Sequence, residues 1–201
     1  MMPHAYPLGA GWIEVITGCM FSGKTEELLR RVRRAQIGRQ RVLIFKPETD
    51  QRHAPDAVVA HSAAQQSCTS VARATDILAL AGDADVIGID EAQFLGPDLP
   101  LVVTKLADEG RRVIVAGLDQ DYRGRPFEPM PELLAIADVI TKNHAVCTIC
   151  GGPASRTQRL VRGDALVLLG AEESYEARCR RHWNPDRFDA EQERLPLAGG
   201  S

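Results

Sequence analysis

The chain has 201 residues, 44% of them hydrophobic and 25% charged, with a formal net charge of -3. That balance fits a soluble globular protein, long enough for one full domain plus a small appendage, and argues against a generally basic nucleic-acid-binding surface. No apolar run approaches the roughly 20 residues needed to cross a bilayer, and the start MMPHAYPLGAG lacks the basic-then-apolar order of a secretory signal. A cytoplasmic protein with no membrane and no nucleic-acid partner is expected.

The first apolar run, residues 12–16, reads as a strand. It leads into GCMFSGKT at residues 18–25 and then into a charged helical segment over 24–37. The octet fits the phosphate-loop spacing G-x-x-x-x-G-K-[ST]. Its glycines let the backbone curl so that N–H groups and the helix N-terminus face phosphate oxygens. Lys24 is then expected to reach the β- and γ-phosphates, and Thr25 to offer its hydroxyl to Mg²⁺. A glycine turn between strand and helix is the bland alternative; the flanking strand and helix weigh against it.

Strands are expected next over 42–45 and 68–71, with a helix over 75–81. A strand over 86–89 ends on Asp90-Glu91 in DVIGIDEAQFL. An acid at a strand end is the second magnesium contact that a phosphate loop needs. The adjacent Glu91 is expected to accept a proton, a reading that its place beside Asp90 favours over a solvated loop acid. A helix over 97–109, a strand over 113–116, a helix over 131–137 and a strand over 139–141 complete the run. Apolar strands separated by helices predict a parallel sheet covered on both faces, a P-loop NTPase type of α/β fold. No guanine-reading N-K-x-D is present, so ATP is the expected donor.

Past residue 143 the texture changes. Cys147-Thr-Ile-Cys150 and Cys179-Arg-Arg-His182 form a CxxC…CxxH set. Two short thiolate and imidazole pairs suit a closed tetrahedral site, hence structural Zn²⁺. GGPASRTQRLVRGDALVLL reads as two short strands around its Arg-Gly-Asp turn. The division expected is 1–143 for an ATP-binding α/β domain, 144–190 for a zinc-ribbon-like domain, and 191–201 for a loose tail. Cys68 reads as a small buried hydrophobe. Cys19 admits two readings, a thiol activated by the nearby helix N-terminus or a space-filler.

G-x-M-F-S-G-K-T, D-E-A-Q-F, GLDQDYRGRPF and the CxxC…CxxH set, in this order over about residues 12–184, resemble the small, zinc-containing thymidine kinases. The resemblance implies a P-loop domain followed by a zinc domain with a lasso loop. It implies transfer of the γ-phosphoryl of ATP to the 5′-hydroxyl of thymidine. It places Gly18, Cys19, Met20, Phe21, Ser22, Gly23, Lys24, Thr25, Asp90 and Gln93 around ATP and magnesium, with Glu91 as the catalytic base. Phe94, Leu118, Tyr122 and Phe127 match thymidine-pocket positions, and Met20 one close to the base. Thr157, Leu166, Leu168, Gly170 and Tyr175 match positions in the lasso, which Arg159 also enters. Feedback inhibition by thymidine triphosphate and a homotetramer are further implications. The family usually has proline where Cys19 stands, and only Asp50 and Arg52 remain of its usual lid pattern.

The other reading is a P-loop ATPase whose zinc ribbon binds nucleic acid or a partner. RRVRR after the loop and the arginines of 156–162 favour it; the net charge and the ordered aromatic loop oppose it. The helix pattern explains the basic cluster as a solvated face.

Overall fold

The computed structural model describes residues 9–48, 57–59, 65–161 and 174–185. Six parallel strands form the central sheet: β1 (Trp12–Thr17), β2 (Val42–Pro47), β5 (Thr69–Val71), β6 (Val86–Ile89), β7 (Arg112–Gly117) and β8 (Val139–Lys142), ordered β5-β2-β6-β7-β1-β8. Alternation decides which side chains face which helices, because successive strand residues point to opposite faces. Ile13, Val15, Val113 and Val115 enter one core with α2 (Asp76–Leu80), α3 (Leu99–Asp108) and α4 (Met130–Ile136). Ile16, Ile114 and Ala116 enter the other with α1 (Lys24–Ile37). Leu28, Leu29, Val32 and Ala35 supply the helix side of that second core, at the three- and four-residue spacing of one helical face. The expected parallel α/β architecture is present, and α1 has the expected bounds.

The face under α1 also holds a charge that the apolar run WIEVI concealed. Glu14 is fully buried. Its Oε2 accepts from Arg31 Nη1 at 2.6 Å; its Oε1 accepts from Arg112 Nε and Trp12 Nε1, each at 2.7 Å. Burial disfavours the carboxylate, but Arg112, Trp12 and Arg31 outweigh it and hold its pKa below the usual value. The expectation that RRVRR is a solvated face is corrected here for Arg31, which is buried against Glu14, while Arg30, Arg33 and Arg34 are exposed.

Glu27 extends this network toward solvent, accepting from Arg30 Nε at 2.6 Å and Arg31 Nε at 2.7 Å. The Arg30 hydrogen bond, then Arg31 against an opposing burial, hold its carboxyl at about 2, down from 4.5. A depressed carboxylate stabilises the fold at pH values above its unfolded pKa, and that contribution is lost as pH falls through the folded one. Glu27→Gln is expected to cost roughly 1–2 kcal/mol at pH 7. The deficit should shrink as urea unfolding is repeated from pH 7 toward pH 3; a constant deficit would contradict the assignment.

Beyond the sheet the chain makes short antiparallel pairs. β3 (Ala57–Val59) pairs with β4 (Gln65–Ser67), in a segment for which no strand was expected. Cys68 falls between β4 and β5, not inside the strand expected over 68–71. β9 (Ala145–Val146) pairs with β10 (Pro153–Ala154), and β11 (Arg156–Arg159) pairs with β12 (Tyr175–Arg178). The described partner of β11 is therefore β12, not a segment just past the Arg-Gly-Asp turn; that turn and residues 165–169 lie outside the described residues. No helix among the described residues is long and apolar enough to cross a membrane.

Candidate active site

β1 delivers the chain to the phosphate loop. Gly18 takes φ +141°, and a Cβ there would stand 2.4 Å from the Asn143 carbonyl oxygen and 2.8 Å from Ser22 Oγ. Only glycine fits that corner. Asn143, just past β8, ties the loop from outside: its N–H donates to Thr17 O at 2.8 Å and its Nδ2 to Gly23 O at 3.3 Å. Lys24 Nζ donates to the Cys19 carbonyl at 2.8 Å, across the mouth of the loop. Ser22 Oγ is buried with no hydrogen-bond partner among the described residues. An orphaned hydroxyl inside a curl of backbone, beside an ammonium, suits a phosphate oxygen.

β6 delivers the acids. Thr25 Oγ1 donates to Asp90 Oδ2 at 3.0 Å, and the Glu91 N–H donates to Asp90 Oδ1 at 3.0 Å. Burial, then the Glu91 charge, push Asp90 up to about 7. Desolvation lowers the Lys24 pKa, while Glu91, Cys19, Asp90 and Asp119 favour its charged form. A buried carboxylate strained by a second one is what a divalent cation would relieve, so Thr25 and Asp90 fit a magnesium site.

Glu91 itself stands at φ 49°, in the left-handed region that non-glycine residues seldom occupy. Gln93, buried in the short 3-10 turn Ala92–Phe94, donates Nε2 to Glu91 Oε2 at 2.5 Å and accepts from Leu118 N at 2.9 Å.

The aromatics gather on the side of Leu118. Phe94 and Phe127 meet edge to face, with ring centroids 5.8 Å apart. The Tyr122 ring lies under the Arg159 guanidinium at 4.8 Å. Met20 N donates to Thr157 Oγ1 at 3.1 Å, which joins the phosphate loop to β11. Tyr175 is buried and stands opposite Arg159 in the β11–β12 register. Leu166, Leu168, Gly170, Asp50 and Arg52 lie outside the described residues.

Cys147, Cys150, Cys179 and His182 converge, with ligand atoms all within 4.8 Å of one another. Cys147 Sγ is 3.7 Å from His182 Nδ1, Cys179 Sγ is 3.3 Å from it, and Cys150 and Cys179 sulfurs are 3.9 Å apart. Tetrahedral zinc, with Zn–S near 2.3 Å and Zn–N near 2.0 Å, asks for spacings of roughly 3.6–3.8 Å. Burial opposes ionisation of Cys147, yet backbone hydrogen bonds from Cys179, Ile149 and Cys150 and the His182 ring bring its pKa to about 5, which favours the thiolate a metal takes. The donor set fits zinc.

This unit packs on the phosphate loop. Cys19 shares a small core with Ala145, Cys147, Ala154 and Ala177, and Phe21 and Cys179 pack against it. Of the two readings of Cys19, space-filling stands: its thiol is buried, donates to Ala154 O at 3.4 Å, and has a pKa raised by burial.

Sequence reasoning missed Asn143, Asp119 and Trp183. Asp119 is buried at the end of β7 and pairs with Lys142 at 2.5 Å. Trp183, next to a metal ligand, donates Nε1 to Tyr122 O at 3.2 Å and lies beneath Arg156 at 5.2 Å. An aromatic beside His182 was the available signal.

A family model described as "Thymidine kinase" matches residues 11–183. A thymidine kinase of Rhodothermus sp. (strain ITI 518) is 56% identical over 177 residues, covering 88% of this chain and 83% of that protein. A thymidine kinase of Bdellovibrio bacteriovorus is 50% identical over 187 residues, covering 92% of each.

Proposed function

The chain belongs to the thymidine kinase family, and from that premise we propose which residues move the γ-phosphoryl of ATP to the 5′-hydroxyl of thymidine. The activity is that of an ATP-dependent kinase, a transferase that yields thymidine monophosphate. The loop from Gly18 to Gly23, with the Ser22 hydroxyl and Lys24, cradles the phosphates. Thr25 and Asp90 hold magnesium, which neutralises phosphate charge when bound. Glu91 accepts the proton of the 5′-hydroxyl. Phe94, Leu118, Tyr122 and Phe127 line the base, with Met20 and Thr157 at the junction to the lasso; Leu166, Leu168, Gly170 and Tyr175 belong to the lasso that closes over the nucleoside. Closure excludes water and protects ATP from hydrolysis.

The observation that carries this reading is the placement of Glu91 between Asp90, which accepts from Thr25 of the phosphate loop, and the aromatic loop reached through Gln93. The test is transfer of labelled γ-phosphate from Mg-ATP, with deoxycytidine, deoxyguanosine and single-stranded DNA run beside thymidine. Label is expected in thymidine monophosphate, with little in the other nucleosides. No labelled nucleoside from protein that holds zinc and binds ATP would overturn the reading.

Residues 1–143 and 144–190 act as two units, joined where Trp183 meets the aromatic loop. Zinc is structural, because four protein ligands leave no open position. Gly124, at φ +75°, lets Trp183 approach; a Cβ there would stand 2.6 Å from the indole Cη2. Gly124→Ala is expected to raise KM for thymidine about tenfold by displacing Tyr122 and Phe127, with KM for ATP unchanged. Equal changes in both KM values would contradict a nucleoside-side role. Thymidine triphosphate carries both recognised parts, the base and a triphosphate, which supports feedback inhibition. A homotetramer is the assembly that the family resemblance implies for this chain. Free thiols as metal ligands support a reducing, cytoplasmic setting.

A further inference from the structure

Glu91 offers the proton-accepting oxygen, but its backbone does not by itself aim it. The residue sits at φ 49° on a turn, and its carboxylate ends a chain of rotatable bonds. Gln93 supplies a fixed contact. Its side chain is 4% exposed, and both ends of its amide are engaged. Leu118 N is a donor, so the group facing it at 2.9 Å must be Oε1. That leaves Nε2 toward Glu91 Oε2, at 2.5 Å, and settles which way the amide points. Gly117 makes room for it: a Cβ there would stand 2.9 Å from Gln93 Oε1 and 2.7 Å from Met130 Sδ. The amide thus spans from the end of β6 to the end of β7.

Resting on the reading of Glu91 as the base, we infer that Gln93 is a positioning residue: it fixes the Glu91 carboxylate relative to the Leu118 end of the nucleoside loop, rather than holding ATP or magnesium. One side chain thereby sets the distance between the proton acceptor and the loop that seats the acceptor nucleoside. Misplacement of a reacting group by about an ångström costs on the order of a hundredfold in rate, so the contact matters in the transition state and little for ground-state binding.

Gln93→Met keeps the volume and removes both hydrogen bonds. Its kcat is expected to fall about ten- to a hundredfold, with KM for ATP and for thymidine each within about threefold. Gln93→Glu, which still accepts from Leu118 N but turns a carboxylate toward Glu91, should lose kcat as well; it serves if the methionine variant does not fold, as judged by melting and ATP binding. The decisive comparison adds Gln93→Met to Glu91→Gln. A residue that acts through Glu91 should change kcat less than about twofold in that background. The same loss in both backgrounds, or a raised KM for ATP with kcat kept, would overturn the inference. Normal turnover in Gln93→Met beside a crippled Glu91→Gln would sink it alone, whereas normal turnover in Glu91→Gln would sink the base assignment and this inference with it.

Discussion

Glu91→Gln is expected to lower kcat by about 10²–10⁴-fold while Mg-ATP still binds. The substitution preserves shape and removes the only thing the base must do, which is take a proton. Gln93 Nε2 can still donate to an amide oxygen at position 91, so the turn should hold. The phosphate loop is untouched: Thr25 and Asp90 keep their 3.0 Å contact. Removing the neighbouring negative charge also relieves Asp90, whose carboxyl burial and Glu91 together push up to about 7. ATP affinity should therefore be equal or somewhat tighter. Single-turnover rates with titrated Mg-ATP separate the two effects. Turnover within about twofold of the parent would place the proton acceptor elsewhere.

The second large effect concerns the metal. One zinc per chain is expected, and Cys179→Ser should remove it. Cys179 stands 3.3 Å from His182 Nδ1 and 3.9 Å from the Cys150 sulfur, so its loss opens two sides of the ligand set. The chemistry does not touch zinc, but the surroundings do. Phe21 of the phosphate loop packs on the same small core as Cys147 and Cys179, and Trp183 holds Tyr122 from the residue after His182. Turnover is expected to fall at least about tenfold and the segment past residue 143 to become readily cleaved by protease, because the metal's binding energy is folding energy for such a unit. Metal analysis, proteolysis and turnover on one preparation check this. Full activity and native melting in a zinc-free chain would refute it.

The sheet was legible because its strands are short apolar runs and its helices carry a clean 3.6-residue pattern. The phosphate loop and the metal ligands were legible because each is defined by spacing along the chain. What sequence did not disclose depends on partners far away. Glu14 reads as an interruption in WIEVI until Arg31 and Arg112 arrive from α1 and β7. The contacts of the buried Gln93 amide with Glu91 and with Leu118 of another strand end are likewise not contained in the motif. For β11, a nearby turn suggested a local hairpin, yet its described partner begins at Tyr175. Strand pairing is decided by registry and burial, which a local run of residues does not contain.

The small core shared by Cys19, Ala145, Cys147, Ala154 and Ala177 bears on how the enzyme is made. Cys19 leaves the ribosome long before Cys147 or Ala177 exists. The six strands of the central sheet can pair and bury most of their apolar faces while synthesis continues, since domains fold as units from the N-terminal side. The phosphate loop would then wait with Cys19 and Phe21 uncovered until the last described strand, β12, arrives. Completion of the nucleotide site thus waits for β12, and a nascent chain halted near residue 143 would present that bare patch to chaperones instead of to ATP.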